Sequence, residues 1–323
     1  MGTYYSIQAS PLGRDGQACL ADTRAVSRVL DTVNLSMSTY LSDSEITLFN
    51  KSMGGTSVEV SQALIDVVTV AAQMWQRSGG AFDATVGPLV NLWGFGAGTS
   101  AAEVDAQQAP TQEAQVRARN KVGMEKLSIV GHNLTKSIDD LYVDLSALAK
   151  GYGVDQLSDL LITNHCQDFM VDIGGEIRVS GQSAKGEHWQ IGIEVPDPSQ
   201  LGTLQAILRL SDLSIATSGD YRNYRIINGL RVDHVIDPRS GGHASSNVVS
   251  TTVLHPSAMW ADAYATTLMV LDMQAGLDFA NQEGIPAYIV VRHTNSDGEQ
   301  NLEARYNSAM QTYLLDATND PKL

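Results

Sequence analysis

The sequence predicts an α+β fold in which mixed or antiparallel sheets pack against helices. Predicted strands outnumber predicted helices, and they follow one another with little interruption over residues 177–254. No Gly-x-Gly-x-x-Gly motif follows the first predicted strand, which argues against a doubly wound nucleotide-binding fold. The chain contains no internal repeat and no long Pro- or Gly-rich linker. We therefore expect α+β rather than alternating α/β.

The first third of the chain predicts a strand followed by helices. Residues 3–10 are typical of a strand, and residues 23–41 predict an amphipathic helix because apolar residues recur at helical spacing. Ser42 or Asp43, placed just before Glu45, indicates a capped helix start. Residues 61–80 predict a further helix that ends at two glycines.

The middle of the chain alternates between polar and apolar segments. Residues 97–120 are polar and Ala-rich, so we expect a flexible insertion followed by a short helix. Residues 126–138 and 140–148 predict strands around turns. Residues 152–165 predict a helix, and residues 169–175 predict a strand that ends at paired glycines.

The last third begins with a long run of strands. After the strands of residues 177–254, residues 260–271 predict a buried helix, because they are mostly small or apolar. Residues 277–284 predict another helix, and residues 287–293 and 312–315 predict the closing strands.

Composition excludes several classes of function. The chain has 323 residues, 43% of them hydrophobic, which is enough for one large domain or two smaller lobes. A net charge of −15 argues against nucleic acid and anionic lipid as partners. No apolar run is long enough for a transmembrane helix. Met1 leads directly into the first strand, so either the protein is cytoplasmic or an export segment has been removed.

The two cysteines, Cys19 and Cys166, lack the spacing of a metal site. The seven histidines are scattered, with no His-x-x-x-His pair, so a zinc site is not expected. A disulfide stays open, because pairing depends on geometry that the sequence does not supply.

An acidic residue inside the apolar helix of residues 260–271 needs an explanation. Asp262 and Thr266 are one turn apart and therefore lie on the same helix face. One interpretation is structural: Asp262 caps the helix, and Thr266 bonds back to a carbonyl. The other is a hard-cation site, since Mg²⁺ prefers oxygen ligands completed by phosphate and water.

Other stretches also contain carboxylates or paired glycines that the local helix or strand pattern does not explain. Asp83 lies among apolar residues and glycines, as an Asx turn or as a ligand contact. Asp144 and Lys150 flank an apolar segment, either as a helix cap with a solvated lysine or as site residues. Gly174 and Gly175 form a hairpin turn or let a ligand approach the backbone.

A polar loop and a histidine are the last candidate site residues in the sequence. Thr217 and Ser218 form a small polar segment. A lone His234 is most simply structural, but the nearby Asp233 or Asp237 could orient it as a base. Together the stretches suggest a nucleotide site built without a Walker or Rossmann motif.

Eight stretches carry a family resemblance, in order, over nearly the whole chain: MGTYYSI, MSTYLSDSEITLFN, GGAFDATVGPLVNLWGFG, DLSALAKGYG, VDIGGEIRVSG, SIATSGDYRNY, HVIDPRSGG and ADAYATTLMVL. Together they resemble the FAD:protein FMN transferases, the ApbE flavin transferase family. The resemblance implies a single catalytic domain over residues 1–323 of T-fold-related architecture, with two lobes around a flavin-nucleotide cleft. Residues 97–120 are the main segment without a matching motif.

The resemblance also implies an activity. Family members are Mg²⁺-dependent enzymes that use FAD as substrate, move its FMN half onto a threonine hydroxyl of a partner protein and release AMP. Partners of this kind include subunits of sodium-pumping quinone reductase and Rnf-type complexes. Many members are lipoproteins at the outer face of the inner membrane, which implies a periplasmic, lipid-anchored protein whose export segment is absent from this chain.

The site residues carry over by position. The metal ligands would be Asp262, Thr266 and the backbone carbonyl of Ala147, and the catalytic residues would be His234, Asp262 and Lys150. Residues expected to contact FAD are Met37, Tyr40, Ala81, Phe82, Asp83, Asp144, Lys150, Gly174, Gly175, Thr217, Ser218 and His234. Tyr40 predicts transfer, because relatives that mainly hydrolyse FAD carry Asn there. Lys150 departs from relatives that carry Glu, so its role is less defined.

Three alternatives use the same residues differently. The first is a Mg²⁺-dependent FAD pyrophosphatase that releases FMN and AMP. The second is a flavin-binding protein without turnover. The third is a structural α+β domain in which Asp262 is a helix cap, so that its replacement by Ala costs about 1 kcal/mol.

Overall fold

The computed structural model describes most of the chain: residues 2–14, 16–19, 22–95, 109–200, 202–220, 224–227, 230–244, 247–294 and 300–315. The chain divides into two compact units. The first comprises residues 30–149 and 222–246, and the second comprises residues 2–29, 150–221 and 247–323. Two of the boundaries fall within helices, α1 (Thr23–Met37) and α6 (Ser146–Thr163).

The first unit combines short helices with small sheets. Its helices are α2 (Glu45–Lys51), α3 (Gln62–Arg77), α4 (Gly87–Leu92) and α5 (Gln112–Arg119). A three-stranded antiparallel sheet of order β2-β4-β3 consists of Ser57–Glu59, Asn133–Lys136 and Leu127–Val130. Two further strands, β10 (Tyr224–Ile227) and β11 (Leu230–Asp233), form an antiparallel ribbon. The short helix expected within residues 97–120 is α5, and residues 97–108 lie outside the described residues.

The second unit is built on a seven-stranded antiparallel sheet of order β1-β5-β6-β9-β12-β13-β14. Its strands are Tyr5–Ala9, Phe169–Ile173, Glu176–Ser180, Leu213–Gly219, Val248–His255, Ala287–Thr294 and Gln300–Tyr306. Helix α7 (Ala258–Val270) packs against β9 and β12 and is followed by α8 (Met273–Glu283). A ribbon of β7 (Trp189–Glu194) and β8 (Leu204–Leu210) contributes to an apolar cluster with sheet residues such as Val249 and Val290.

Burial explains the position of the central strand. Seven of the eight residues of β12 are buried, which is typical of a strand covered on both faces. Strands pair antiparallel throughout the described residues, and helices pack on the sheet. The α+β class predicted from the sequence is therefore confirmed. Within the described residues, no helix combines the length and apolar character needed to cross a membrane.

The cysteines, left open by the sequence, form a disulfide. Cys19 and Cys166 are bonded, which ties the N-terminal segment to the turn that follows α6. The bond closes a loop with a sequence separation of 147 residues.

The strand predicted over residues 140–148 is wrong. Leu141, Val143 and Leu145 are buried, which gives the alternation typical of a strand. The segment nevertheless lies outside helices and strands and enters α6 at Ser146. The Asp144 carboxylate accepts a hydrogen bond from the Ser146 N–H at 2.9 Å, an Asx-type bond that favours a helix start.

Two other expectations are also wrong. The strand predicted over residues 312–315 does not form: a turn follows the short helix α9 (Ser308–Gln311), and Leu314 forms only an isolated bridge to Leu208 within the described residues. The cap of α2 is Ser44 rather than Ser42 or Asp43, since its hydroxyl accepts from the Thr47 N–H at 3.2 Å.

Candidate active site

Helix α7 of the second unit carries Asp262 in its interior. The helix is capped by Ser257, whose hydroxyl accepts from the Trp260 N–H. Asp155 of α6 reinforces this end by accepting from the backbone N–H groups of Ala258 and Met259. The interpretation of Asp262 as a helix cap is therefore wrong, and its side chain is only 2% exposed.

A close helix crossing places Lys150 beside Asp262. A Cβ atom built on Gly151 would lie 2.3 Å from the Ala258 carbonyl oxygen, so only glycine fits where α6 meets α7. The Gly151 N–H donates to Asp262 Oδ2 at 3.3 Å. The preceding residue, Lys150, has its Nζ 3.6 Å from Asp262 Oδ1.

Glu176 is a second buried carboxylate at this point. The Lys150 Nζ lies 2.5 Å from Glu176 Oε1, and the Glu176 side chain is 2% exposed. Glu176 begins β6 directly after Gly174 and Gly175, which have φ values of +62° and +103°. The glycine pair is thus a β5–β6 hairpin turn, and this turn delivers Glu176 to the cluster.

Thr266 of α7 and Ser218 of β9 place two hydroxyl groups close to each other. Thr266, one turn after Asp262, has its Oγ1 3.5 Å from the Ser218 Oγ on β9. Thr217, its neighbour on the strand, points the other way and bonds to Thr252 at 2.9 Å. The structure therefore places Ser218 beside Thr266, one helical turn from Asp262, and gives Thr217 a different partner.

Burial dominates the electrostatics of these charges. Removal from water raises the pKa of Asp262, and the Lys150 ammonium opposes that shift. Burial and the Asp262 charge together raise the pKa of Glu176 to about 8. Desolvation works to lower the pKa of Lys150, but the two carboxylates outweigh it and raise that pKa. At neutral pH the cluster therefore favours retention of an extra proton.

The available oxygens fit a hard cation. Within the described residues, the hydrogen bond that Asp262 accepts is a long one, from the Gly151 N–H at 3.3 Å, so its carboxylate keeps acceptor capacity. No group of three or more His, Cys, Asp or Glu side chains suited to a metal occurs in the described part of the chain. One carboxylate with neighbouring hydroxyls suits Mg²⁺, which keeps several positions for water and phosphate. Ala147, the third expected ligand, lies in the first turn of α6.

In the first unit, Asp83 forms a turn. Its Oδ1 accepts from the Thr85 N–H at 2.7 Å and from the Thr85 hydroxyl at 2.6 Å. Burial raises the pKa of Asp83 despite these bonds. The Asp144 N–H donates to the Ala84 carbonyl at 2.7 Å, so the segment holding Ala81, Phe82 and Asp83 lies next to the one holding Asp144.

The remaining predicted residues of the first unit differ in exposure. Met37 ends α1 and is buried, whereas Tyr40 is 83% exposed. His234 is half-buried with its ring 6.5 Å from that of Phe95. The carboxylates proposed to orient it have other partners: Asp237 bonds to Arg239, and Asp233 lies 3.1 Å from His243 Nε2.

A cavity of about 560 Å³ adjoins Asp83 in the first unit. Its walls combine an indole, three basic side chains, two carboxylates and backbone glycines, from Trp75, Gly80, Asp83, Arg119, Gly123, Glu125, Lys126 and Arg239 among others. Such a lining can accommodate a flat or anionic group.

Comparison with known proteins identifies the family. The ApbE family profile matches residues 1–289. A FAD:protein FMN transferase of Vibrio cholerae is 42% identical over 296 residues, covering 90% of this chain and 85% of that protein. The Haemophilus influenzae FAD:protein FMN transferase is 36% identical over 300 residues, covering 91% and 85%. The chain belongs to the ApbE family.

Solved ApbE structures share the fold. The flavin transferase ApbE from Vibrio cholerae superposes with a TM-score of 0.83 at 39% identity, covering 97% of this chain and 96% of that one. The apo flavinyl transferase ApbE of Pseudomonas stutzeri gives a TM-score of 0.82 at 32% identity, covering 97% and 94%.

Sequence reasoning did not identify Glu176 as a member of the buried cluster with Lys150 and Asp262. The only signal was its position after the glycine pair of the VDIGGE stretch. A glutamate at a strand start is usually solvated, so its burial against Lys150 depends on the helix crossing at Gly151.

Proposed function

We propose that this chain is an FAD:protein FMN transferase that needs Mg²⁺, transfers FMN from FAD to a threonine hydroxyl of a partner protein and releases AMP. The observation that carries the proposal is the buried, poorly satisfied carboxylate of Asp262 beside Lys150 and Thr266. It occurs in a chain 42% identical to a protein named for this activity.

The reaction is a transfer between two oxygen atoms at phosphorus. The threonine oxygen forms a bond to the phosphorus of the FMN half, and the bond from that phosphorus to the bridging oxygen breaks. AMP leaves with that oxygen. The hydroxyl proton passes to a base, for which the resemblance suggests His234, and such catalysis contributes roughly 10²–10⁴-fold.

The chain's own groups would handle charge and position. Asp262, Thr266 and the Ala147 carbonyl would hold Mg²⁺, which supplies charge neutralisation at the diphosphate when bound. Lys150 would hold a phosphate oxygen as a point charge, since its side chain is 31% exposed while both carboxylates are buried.

Selection of threonine over water would depend on the flavin contacts. Met37, Ala81, Phe82, Asp83 and Asp144 would contact FAD, as would residues Gly174, Gly175, Thr217 and Ser218. The exposed ring of Tyr40 is free to cover the flavin or the path of water, which would favour transfer over hydrolysis.

The Cys19–Cys166 disulfide supports an oxidising compartment, because such bonds are rare in reducing cytosol. We therefore propose a periplasmic protein, and the family resemblance suggests a lipid anchor at the inner membrane. Its acceptors would be subunits of sodium-pumping quinone reductase or Rnf-type complexes.

The test is incubation with FAD, Mg²⁺ and a threonine-bearing acceptor domain, followed by mass spectrometry. The expected result is an FMN-sized mass gain on the threonine together with AMP, and neither in EDTA. Asp278→Asn is a matched control for Asp262→Asn, because Asp278 is exposed and bonded only to Gln274 among the described residues.

Two outcomes would overturn the proposal. Release of FMN and AMP with an unmodified acceptor would indicate a pyrophosphatase. Tight FAD binding without AMP would indicate a flavin-binding protein without turnover.

A further inference from the structure

The proposed reaction leaves one buried charge without a role. Glu176 is 2% exposed, and within the described residues its Oε2 has no hydrogen-bond partner. A buried carboxylate in this condition is costly and is usually retained only where another group requires it. Its contact on the other oxygen is the ammonium of Lys150.

Lys150 is shared unequally between the two carboxylates. Its Nζ is 2.5 Å from Glu176 Oε1, which is a direct charged hydrogen bond. The distance to Asp262 Oδ1 is 3.6 Å, beyond hydrogen-bond range. The ammonium is therefore bonded to Glu176 and interacts with Asp262 only through its charge.

Asp262 consequently keeps acceptor capacity. An ionised carboxylate has about four lone-pair positions. Here one is taken by a hydrogen bond of 3.3 Å from the Gly151 N–H. If Lys150 closed to hydrogen-bond distance, a like charge would lie on the oxygen that a cation must reach.

We propose that Glu176 is a positioning residue: it holds the Lys150 ammonium off Asp262 and so keeps Asp262 open to a divalent cation. This inference rests on the proposed function, in which Asp262 binds Mg²⁺. Glu176 acts through Lys150 and does not itself bind the metal.

Charge balance supports this role. When Glu176 is neutral, Asp262 is the only anion in the pair and attracts the ammonium. A divalent cation at Asp262 would repel the Lys150 ammonium, which favours its contact with Glu176 over a contact with Asp262.

The experiment measures metal affinity rather than activity. Mn²⁺ serves as the probe, because its free EPR signal disappears on binding, and Mg²⁺ is added as competitor. Measurements are made at about pH 9, above the pKa of about 8 given for Glu176. The proteins are wild type, E176Q, K150M, the double variant K150M/E176Q and D262N.

The expected result is a loss of Mn²⁺ affinity in E176Q that occurs only when Lys150 is present. E176Q weakens Mn²⁺ binding about tenfold, which corresponds to about 1.4 kcal/mol. In the K150M background, E176Q changes the affinity by less than about twofold, since no ammonium is left to move. The control E303Q, which removes a charge paired with His293 and Arg305, leaves binding unchanged.

Two results overturn the proposal: an unchanged affinity in E176Q, or an equal loss in the K150M background. The second would mean that Glu176 acts directly, by its charge or as a ligand. If circular dichroism shows that E176Q is unfolded, the comparison of K150M with the double variant decides. Equal affinities support the proposal, and a tenfold loss overturns it.

D262N separates this inference from the proposed function. If D262N loses Mn²⁺ binding and E176Q does not change it, only the proposed role of Glu176 is wrong. If D262N still binds Mn²⁺, both the metal site at Asp262 and the inference about Glu176 are wrong.

Discussion

Lys136 and Lys150 have both lost most of their contact with water, and their surroundings differ. Lys136, the last residue of β4 in the first unit, is 0% exposed. Lys150, in the first turn and a half of α6, keeps a side chain that is 31% exposed. The first is surrounded by backbone carbonyls and the second by carboxylates.

Lys136 is satisfied by neutral acceptors. Its Nζ donates to the carbonyls of Asn50 at 2.7 Å, Asp139 at 2.8 Å and Leu141 at 3.2 Å. An ammonium has three donors, so each finds an acceptor. Burial lowers the pKa of Lys136, and Asp139 opposes the shift. This arrangement is complete without a ligand.

Lys150 lies in an incomplete arrangement. It faces Glu176 and Asp262, and burial raises the pKa of both carboxylates. Burial alone therefore does not identify a lysine with a catalytic or binding role. What distinguishes Lys150 is that its partners keep unused oxygens beside an exposed side chain.

The largest expected effect is on catalysis at the incomplete cluster. Asp262→Asn should lower the rate of FMN transfer about a thousandfold, or about 4 kcal/mol, because the metal loses its charged ligand. The metal-free protein should lose no stability, since a poorly satisfied buried charge has been removed. Rate assays and urea unfolding measure the two effects. A rate within tenfold of wild type would contradict the assignment.

The next effect is on stability at the complete cluster. Lys136→Met leaves one buried and two partly buried carbonyls without the lysine donor and should lower the free energy of unfolding by about 3 kcal/mol. Lys150→Met should cost about 1 kcal/mol at about pH 6, because Glu176, with a pKa of about 8, is protonated there. Urea midpoints measure both. Equal losses of unfolding free energy in the two variants would contradict the view that only Lys136 has a structural role.

The pH dependence of stability should also belong to the incomplete cluster. Unfolded Glu176 loses its proton near the ordinary glutamate pKa of 4.5, whereas the folded residue keeps it to a pKa of about 8. Between these values the folded state binds more protons, so raising the pH favours unfolding. The metal-free protein should therefore lose about 3 to 4 kcal/mol from about pH 5 to 8, and Glu176→Gln should flatten the curve. A curve of the same slope in the variant would exclude Glu176 as the cause.

The smallest effect is expected at Ser218. Ser218→Ala removes a hydroxyl 3.5 Å from Thr266 and should raise the Mg²⁺ concentration needed for half-maximal rate about threefold. Thr266→Val should raise it more, because Thr266 is a proposed ligand. Mg²⁺ titrations of the two variants test the order, and a larger effect in Ser218→Ala would reverse the assignment.

Much of the fold followed from local pattern. Apolar periodicity predicted helices α1, α3 and α7, and the run of strands predicted the second unit's sheet. The pattern failed over residues 140–148, where alternate burial arises in a segment that is not a strand. It also missed β14 (Gln300–Tyr306), whose polar residues suit an edge strand paired on one side.

The candidate site was predictable only in part. Asp262 was conspicuous because an acid interrupts an apolar helix, and Lys150 stood beside glycines. Glu176 and Lys136 gave no comparable signal, since each looks like a solvated charge in a short strand. Their burial comes from long-range packing, including the crossing at Gly151, which periodicity does not report.

The central claim is that Asp262 and Thr266 bind a divalent ion together with a flavin dinucleotide. Crystals grown with FAD and Mn²⁺, measured at the manganese absorption edge, test it most directly. We expect an anomalous peak about 2.2 Å from an Asp262 carboxylate oxygen and the Thr266 hydroxyl, with a diphosphate oxygen as a further ligand of the ion. A peak elsewhere, with Asp262 contacting only Lys150 and Gly151, would contradict it.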